Sequence, residues 1–162
     1  MEVDKAELLR RMERSFQHFD ELLSRVVLHD VDAPGVCGEW SVKDVVAHLI
    51  AHEQRTIDEL RHAKRGEHLA IKHEENDSFN DGAVYACRAM PFEFVREQWR
   101  RSYERAAAMI ESLDDADFDA QSEIVRLLDD SINGAVANNT YEHHDYHGAQ
   151  IAAWLSKDRP EL

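Results

Sequence analysis

The sequence predicts an all-α protein, an antiparallel four-helix bundle with a longer crossover between its second and third helices. Three observations predict it. Apolar residues recur at spacings of three and four over four long stretches. No segment shows the period-two alternation of a half-buried strand, and only three of 162 residues are proline. That length suits one domain, 1–162, and is enough to enclose a hydrophobic core.

The first helix spans about residues 6–27, where Leu8, Leu9, Met12, Phe16, Phe19, Leu22, Leu23 and Val26 form one stripe. His29-Asp30-Val31-Asp32-Ala33-Pro34-Gly35 ends it with turn chemistry. A second helix begins at Ser41, whose hydroxyl can accept a free backbone N–H. Asp44 then sits at the third helical position, against the positive end of the helix dipole. Its stripe runs Val42, Val45, Val46, Leu49, Ile50, Ile57, Leu60, and Gly66 closes it. The pattern weakens over 66–90, where a short helix is expected within 74–88, before Pro91. Residues 92–113 are again long and amphipathic, through Phe94, Val95, Trp99, Tyr103, Ala106, Met109 and Ile110. An acidic connector with one helical turn fills 114–130, and the last helix runs over 133–155. No domain-scale linker, repeat or low-complexity tract interrupts the chain.

Composition narrows the function classes. A formal net charge of −14, spread along the chain, would repel phosphate backbones and anionic bilayers, so neither nucleic acid nor membrane is expected as a partner. No apolar run approaches the roughly 20 residues of a membrane span. The start Met1-Glu2-Val3-Asp4-Lys5 lacks a signal-peptide pattern, and the expected location is cytoplasmic. Cys37 and Cys87 are unclustered and read as two ordinary thiols.

The chemistry concentrates in Tyr141-Glu142-His143-His144-Asp145-Tyr146-His147-Gly148-Ala149-Gln150. On a helix His143 and His147 lie about 40° apart on one face, one above the other. Two such neutral imidazoles make half of a divalent transition-metal site. His48, between Ala47 and Leu49 on the apolar side of the second helix, is the third ligand candidate. A bundle can bring the three together and leave a coordination position open to water or substrate. Each also has a plainer reading, a solvated face for the pair and a core histidine for His48. His52 forms a second i, i+4 pair with His48 and reads as a fourth ligand or as a pocket residue supporting the others. His144 ranks lower, because it points about 100° away from His143. Glu53 and Asp145 could accept an imidazole N–H, or could be solvated carboxylates. Tyr141, with Trp40, Tyr85 and Trp99, could line an apolar pocket or simply pack in the core. His18, His29, His62, His68 and His73 lie among polar residues and read as surface.

Gly38-Glu39-Trp40-Ser41-Val42-Lys43-Asp44-Val45-Val46-Ala47-His48-Leu49 resembles the second-helix signature of the DinB-like proteins, and His143-x-x-x-His147 with Gln150 is similar to their C-terminal element. Asn80-Asp81-Gly82-Ala83-Val84-Tyr85, Met90-Pro91-Phe92-Glu93 and Asn138-Asn139-Thr140-Tyr141-Glu142-His143 resemble the ClbS/DfsB branch, whose namesake protects a producer cell from its own genotoxin. The resemblance implies a four-helix bundle, often a homodimer, with a divalent zinc, nickel or iron ion on His48, His143 and His147. The family name does not imply DNA binding. The resemblance implies an enzyme acting on small electrophiles in detoxification or stress protection. Such an enzyme is a thiol S-transferase or isomerase using bacillithiol, mycothiol or glutathione, or else a hydrolase. The alternative in the same family is a non-enzymatic bundle that sequesters a small molecule.

Overall fold

A computed structural model of the chain describes residues 3–69 and 76–157. Four long helices form the body: α1 (Lys5–Ser24), α2 (Val42–Lys64), α4 (Phe92–Glu111) and α7 (Tyr141–Leu155), with the short α3 (Asn76–Cys87), α5 (Glu123–Leu128) and α6 (Ile132–Ala137) in the connections. Single 3-10 turns occur at Leu28–Asp30 and Asp115–Phe118, and the one extended feature among the described residues is an isolated bridge between Cys37 and Trp40. Local chemistry fixes the starts. The Asp4 carboxylate accepts the Glu7 N–H, and Ser41 and Asp44 cap α2 reciprocally, as the sequence predicts.

Two apolar clusters reveal the direction of each helix. One holds Phe19 and Leu23 of α1, Val42, Val45, Val46, Ala47 and Leu49 of α2, Phe92, Val95 and Trp99 of α4, and Ile151 and Trp154 of α7. The other holds Leu8 and Met12, Ile57 and Leu60, Ala106 and Ile110, and Tyr141. So α1 and α7 run one way and α2 and α4 the other. Each of α1 and α2 packs on both α4 and α7, which puts α1 and α2 on opposite corners. The crossover between the second and third long helices is what lets α2 and α4 lie side by side in the same direction.

Between the two clusters runs a polar layer. Ser15, Glu53, Thr56, Ser102, Thr140 and His144 are all buried there. Trp99 donates its indole N–H to Glu53 Oε1 at 3.1 Å, and His144 Nε2 lies 2.7 Å from the same oxygen.

The structure departs from the expected last helix, which is broken into α6 and α7. Side chains explain the break. Asn138, Asn139 and Thr140 each donate to the carbonyl four residues back, Gly134, Ala135 and Val136 respectively. Such bonds compete with continuation of the helix. The short helix expected over 74–88 is α3; its first two residues, Glu74 and Glu75, lie outside the described residues, as does His73. No helix among the described residues is long and apolar enough to cross a membrane.

Leu49 is fully buried, so Leu49→Ala should cost about 2–5 kcal/mol. Ser41→Ala, which removes the α2 cap, should cost about 1 kcal/mol. Urea unfolding should show both as lower midpoints at an unchanged slope.

Candidate metal centre

Residues Ser41 to Leu49 of α2 are buried without interruption, because α3, α4, α5 and α7 all pack on this helix. His48 therefore enters the interior although its neighbours are all apolar, and it is 4% exposed. His52 lies one turn further along. From α7, His143 and His147 approach the same place, the latter 3% exposed. The four rings form one cluster. Centroid separations are 4.4 Å for His48–His52, 4.8 Å for His48–His143 and 5.1 Å for His48–His147. They are 4.3 Å for His52–His143 and 4.9 Å for His143–His147. Ligand atoms of His48, His52 and His143 all lie within 4.8 Å of one another. The chain thus brings together the three histidines singled out from spacing, and adds His52 to them.

Hydrogen bonds decide which nitrogens face inward. His143 Nδ1 donates to the Asn138 carbonyl at 3.0 Å, an oxygen placed there by the break before α7. His147 Nδ1 donates to Gln150 Oε1 at 2.7 Å. In a neutral ring this leaves Nε2 with its lone pair. His143 Nε2 stands 2.7 Å from His48 Nε2, and two lone pairs at that distance repel, so a proton or a cation belongs between them. His48 Nδ1 is buried and has no partner. His52 is held from both ends, Nδ1 at 2.8 Å from Asn139 Oδ1 and Nε2 at 3.2 Å from Asn80 Oδ1. A neutral ring donates to only one of these oxygens.

All four imidazoles resist protonation. Burial pushes His48 down to about 2 and His143 to about 3, and neighbouring imidazoles add to the effect in both. Burial likewise lowers His52 and His147, against the hydrogen bonds that favour their charged forms. Neutral nitrogens converging from two helices are what a divalent transition metal requires. The donor set fits such an ion.

The other residues considered from sequence point elsewhere. His144 turns into the core, where it and Glu53 are each 1% exposed and face one another. Glu53 does meet an imidazole, that of His144. Asp145 accepts from Ser15 Oγ at 2.7 Å, and the Tyr141 hydroxyl donates to Asn133 Oδ1 at 3.0 Å. Tyr141 and Asp145 line a cleft against α1 with Arg11, Arg14 and His18. Trp99 is a core residue, whereas Tyr85 is 79% exposed. Trp40 packs on the His48 ring at 4.9 Å. His18, His29 and His68 are exposed and His62 is half-buried. Cys37 and Cys87 are free, half-buried thiols. Asn80, Asn139 and Phe79, the last edge-on to His52 at 5.7 Å, carry no spacing signal that links them to the histidines.

A helical bundle with buried histidines converging from its second and last long helices has the architecture of the DinB-like proteins. The chain matches the mycothiol maleylpyruvate isomerase N-terminal domain over residues 12–143 and belongs to that family. Its fold is that of the ClbS/DfsB branch. The structure of DfsB, described as sibling lethal factor precursor, superposes with a TM-score of 0.84 at 14% identity, covering 98% of each chain. The colibactin self-resistance protein ClbS, solved in complex with dsDNA, gives 0.80 at 14% identity and the same coverage. An uncharacterised protein from Escherichia coli UTI89 gives 0.79 at 14% identity, covering 99% of this chain and 97% of that one. No curated protein matches the sequence.

The ClbS complex overturns the exclusion of nucleic acid drawn from composition. A net charge sums the whole surface, whereas a duplex meets one face, so −14 does not decide the matter.

The histidine shifts fix an acid sensitivity. Unfolded imidazoles titrate near 6.5, far above the folded values of about 2 for His48 and about 3 for His143. Between those limits the unfolded chain binds protons that the folded chain refuses. The stability is full above about pH 6.5 and drains away as the pH falls toward the folded values. In EDTA, urea unfolding should show this decline beginning between roughly pH 7 and 5, before most carboxylates titrate. His48→Leu should flatten it. An unchanged slope in that variant would refute the assignment.

Proposed function

We propose that the chain is a divalent-metal-dependent enzyme acting on small electrophilic molecules, in detoxification or stress protection. The observation that carries this reading is the inward convergence of neutral imidazoles from two helices, with the Nδ1 protons of His143 and His147 committed to oxygen acceptors. His48, His143 and His147 are assigned as the ligands. His147 is preferred to His52 because it is more deeply buried and only its outer nitrogen is engaged. Both nitrogens of His52, in contrast, face asparagine amides. His52 is assigned to the pocket side of the centre, where Phe79 touches it.

The chemistry follows from three neutral nitrogens and an open position. His48, His143 and His147 would hold a zinc, nickel or iron ion, which would supply a nucleophile near neutral pH by lowering the pKa of a bound thiol or water. The protein's part is to hold the ligands neutral by burial and to fix their rotation. The Asn138 carbonyl and Gln150 fix two of the rings through Nδ1. With a low-molecular-weight thiol as cosubstrate the product would be an S-conjugate or, as in the isomerase that the family's description names, a rearranged substrate with the thiol released. With water it is a hydrolysed compound.

Elemental analysis of tag-free protein tests the assignment. Near-stoichiometric metal is expected in the wild type and none in His48→Ala or His147→Ala, with helicity retained. Gln150→Leu should weaken metal affinity by about 10–100-fold without abolishing it. Full occupancy in His48→Ala would refute the ligand set. Electrophile turnover with thiols, lost on chelation, is the expected activity; retained ligand affinity without turnover would instead identify a sequestering protein.

A further inference from the structure

The break before α7 also fixes the proton on His52. Asn139, in that break, donates its Nδ2 to the Ala135 carbonyl at 3.2 Å, so its Oδ1 is the atom turned toward the cluster. His52 Nδ1 stands 2.8 Å from this oxygen. An amide oxygen only accepts, so Nδ1 carries the single proton of the neutral ring and Nε2 keeps the lone pair. His143 and His147 have the same arrangement, with Nδ1–H on an oxygen and Nε2 free of a proton.

The neighbour of His52 Nε2 gives it nothing to accept. Asn80 Oδ1, reaching over from α3, is 3.2 Å away and is itself an acceptor. Turning that amide over would present a donor. The same side chain, however, makes a hydrogen bond that favours the charged form of His48, so its oxygen is the atom facing the two rings. Two acceptors in contact repel unless a proton or a cation joins them, as between His48 and His143. Ligand atoms of His52, His48 and His143 lie within 4.8 Å of one another.

We propose that His52 is a fourth nitrogen ligand of the metal centre and that Asn139 is the residue that positions it, by holding its proton on Nδ1. This deepens the metal-enzyme reading and rests on its three ligands. A fourth nitrogen still admits a cosubstrate, because a catalytic zinc site can expand to five ligands. The break before α7 then serves two rings, His143 through the Asn138 carbonyl and His52 through the Asn139 amide.

Nitrogen-15 NMR of histidine-labelled wild type, titrated with zinc chloride, tests the ligand. Zinc should move the Nε2 signal of His52 together with those of His48, His143 and His147, while His52 Nδ1 stays protonated. Movement of the other three with His52 Nε2 unmoved overturns the proposal and leaves the three-ligand centre standing. No movement in any ring removes both. Zinc affinity tests the positioning role. His52→Ala should keep near-stoichiometric zinc but bind it at least about tenfold more weakly. Asn139→Leu should cost about tenfold in the wild type and less than about twofold in the His52→Ala background. Equal losses in the two backgrounds would mean that Asn139 acts on the fold alone, and would overturn its role.

Discussion

The enclosure of α2 is the constraint on which the rest depends. A helix packed on by four others is buried without interruption over residues 42–49 and at Glu53 and Thr56, so the polar groups at those positions have to find partners inside the protein. Lys43 reaches the carbonyls of Arg88 and Met90 and the carboxylate of Asp32. Asp44 caps its own helix and faces Arg88. These bonds pin the start of α4 to the start of α2. Glu53 is met by Trp99 and His144. Thr56 Oγ1 and Glu53 Oε2 nevertheless lack a partner, and His48 is the third such residue of α2. Its Nδ1 has no partner and its Nε2 meets another imidazole nitrogen, a costly arrangement for a residue serving only as core. Local cost without structural compensation is characteristic of functional positions.

One turn of α7 serves four surroundings. His143 and His147 face α2 and the cluster, His144 faces the polar layer, Asp145 meets α1 through Ser15, and Tyr146 stands 62% exposed beside His147. Rotation of α7 is therefore over-determined. Turning it by one residue, about 100°, would move His144 toward the cluster and leave Glu53 without the imidazole it faces. A buried polar pair contributes little net stability but strongly disfavours the wrong register. The Glu53–His144 contact thus aligns the two helices whose other faces supply the histidines. Gly148 completes the fit, since a Cβ there would come within 3.3 Å of Leu22 on α1.

What the sequence disclosed follows from the range of each signal. The four long helices and the α2 cap were legible because helical periodicity and capping act within a few residues. The i, i+4 spacings of His143/His147 and His48/His52 were legible for the same reason. The break before α7 was not, because the apolar pattern continues through Asn138-Asn139-Thr140 and only their side-chain bonds stop the helix. The exposure of Tyr85 was equally hidden, since α3 is covered on one side and its pattern is weak. Asn80 reaches His52 across 28 residues and Asn139 across 87. Relations of that kind arise from packing, and no local pattern announces them.

The charge of the protein and the chemistry of its site act on different length scales. A surface of net charge −14 repels an approaching anion, but at physiological ionic strength this field decays over about 8 Å. Close to any one side chain the nearest groups decide. Arg55 stands over the Phe79 ring, and Asp58 accepts from Gln54 and Arg61. The same short range explains how four histidines remain uncharged in an acidic protein. Surface carboxylates too distant or too hydrated to compensate burial leave desolvation as the dominant influence on every ring of the cluster. Site electrostatics here belong to the interior of α2 and α7, and the neighbouring α3 supplies both the amide facing His52 and the Phe79 ring that stands against it.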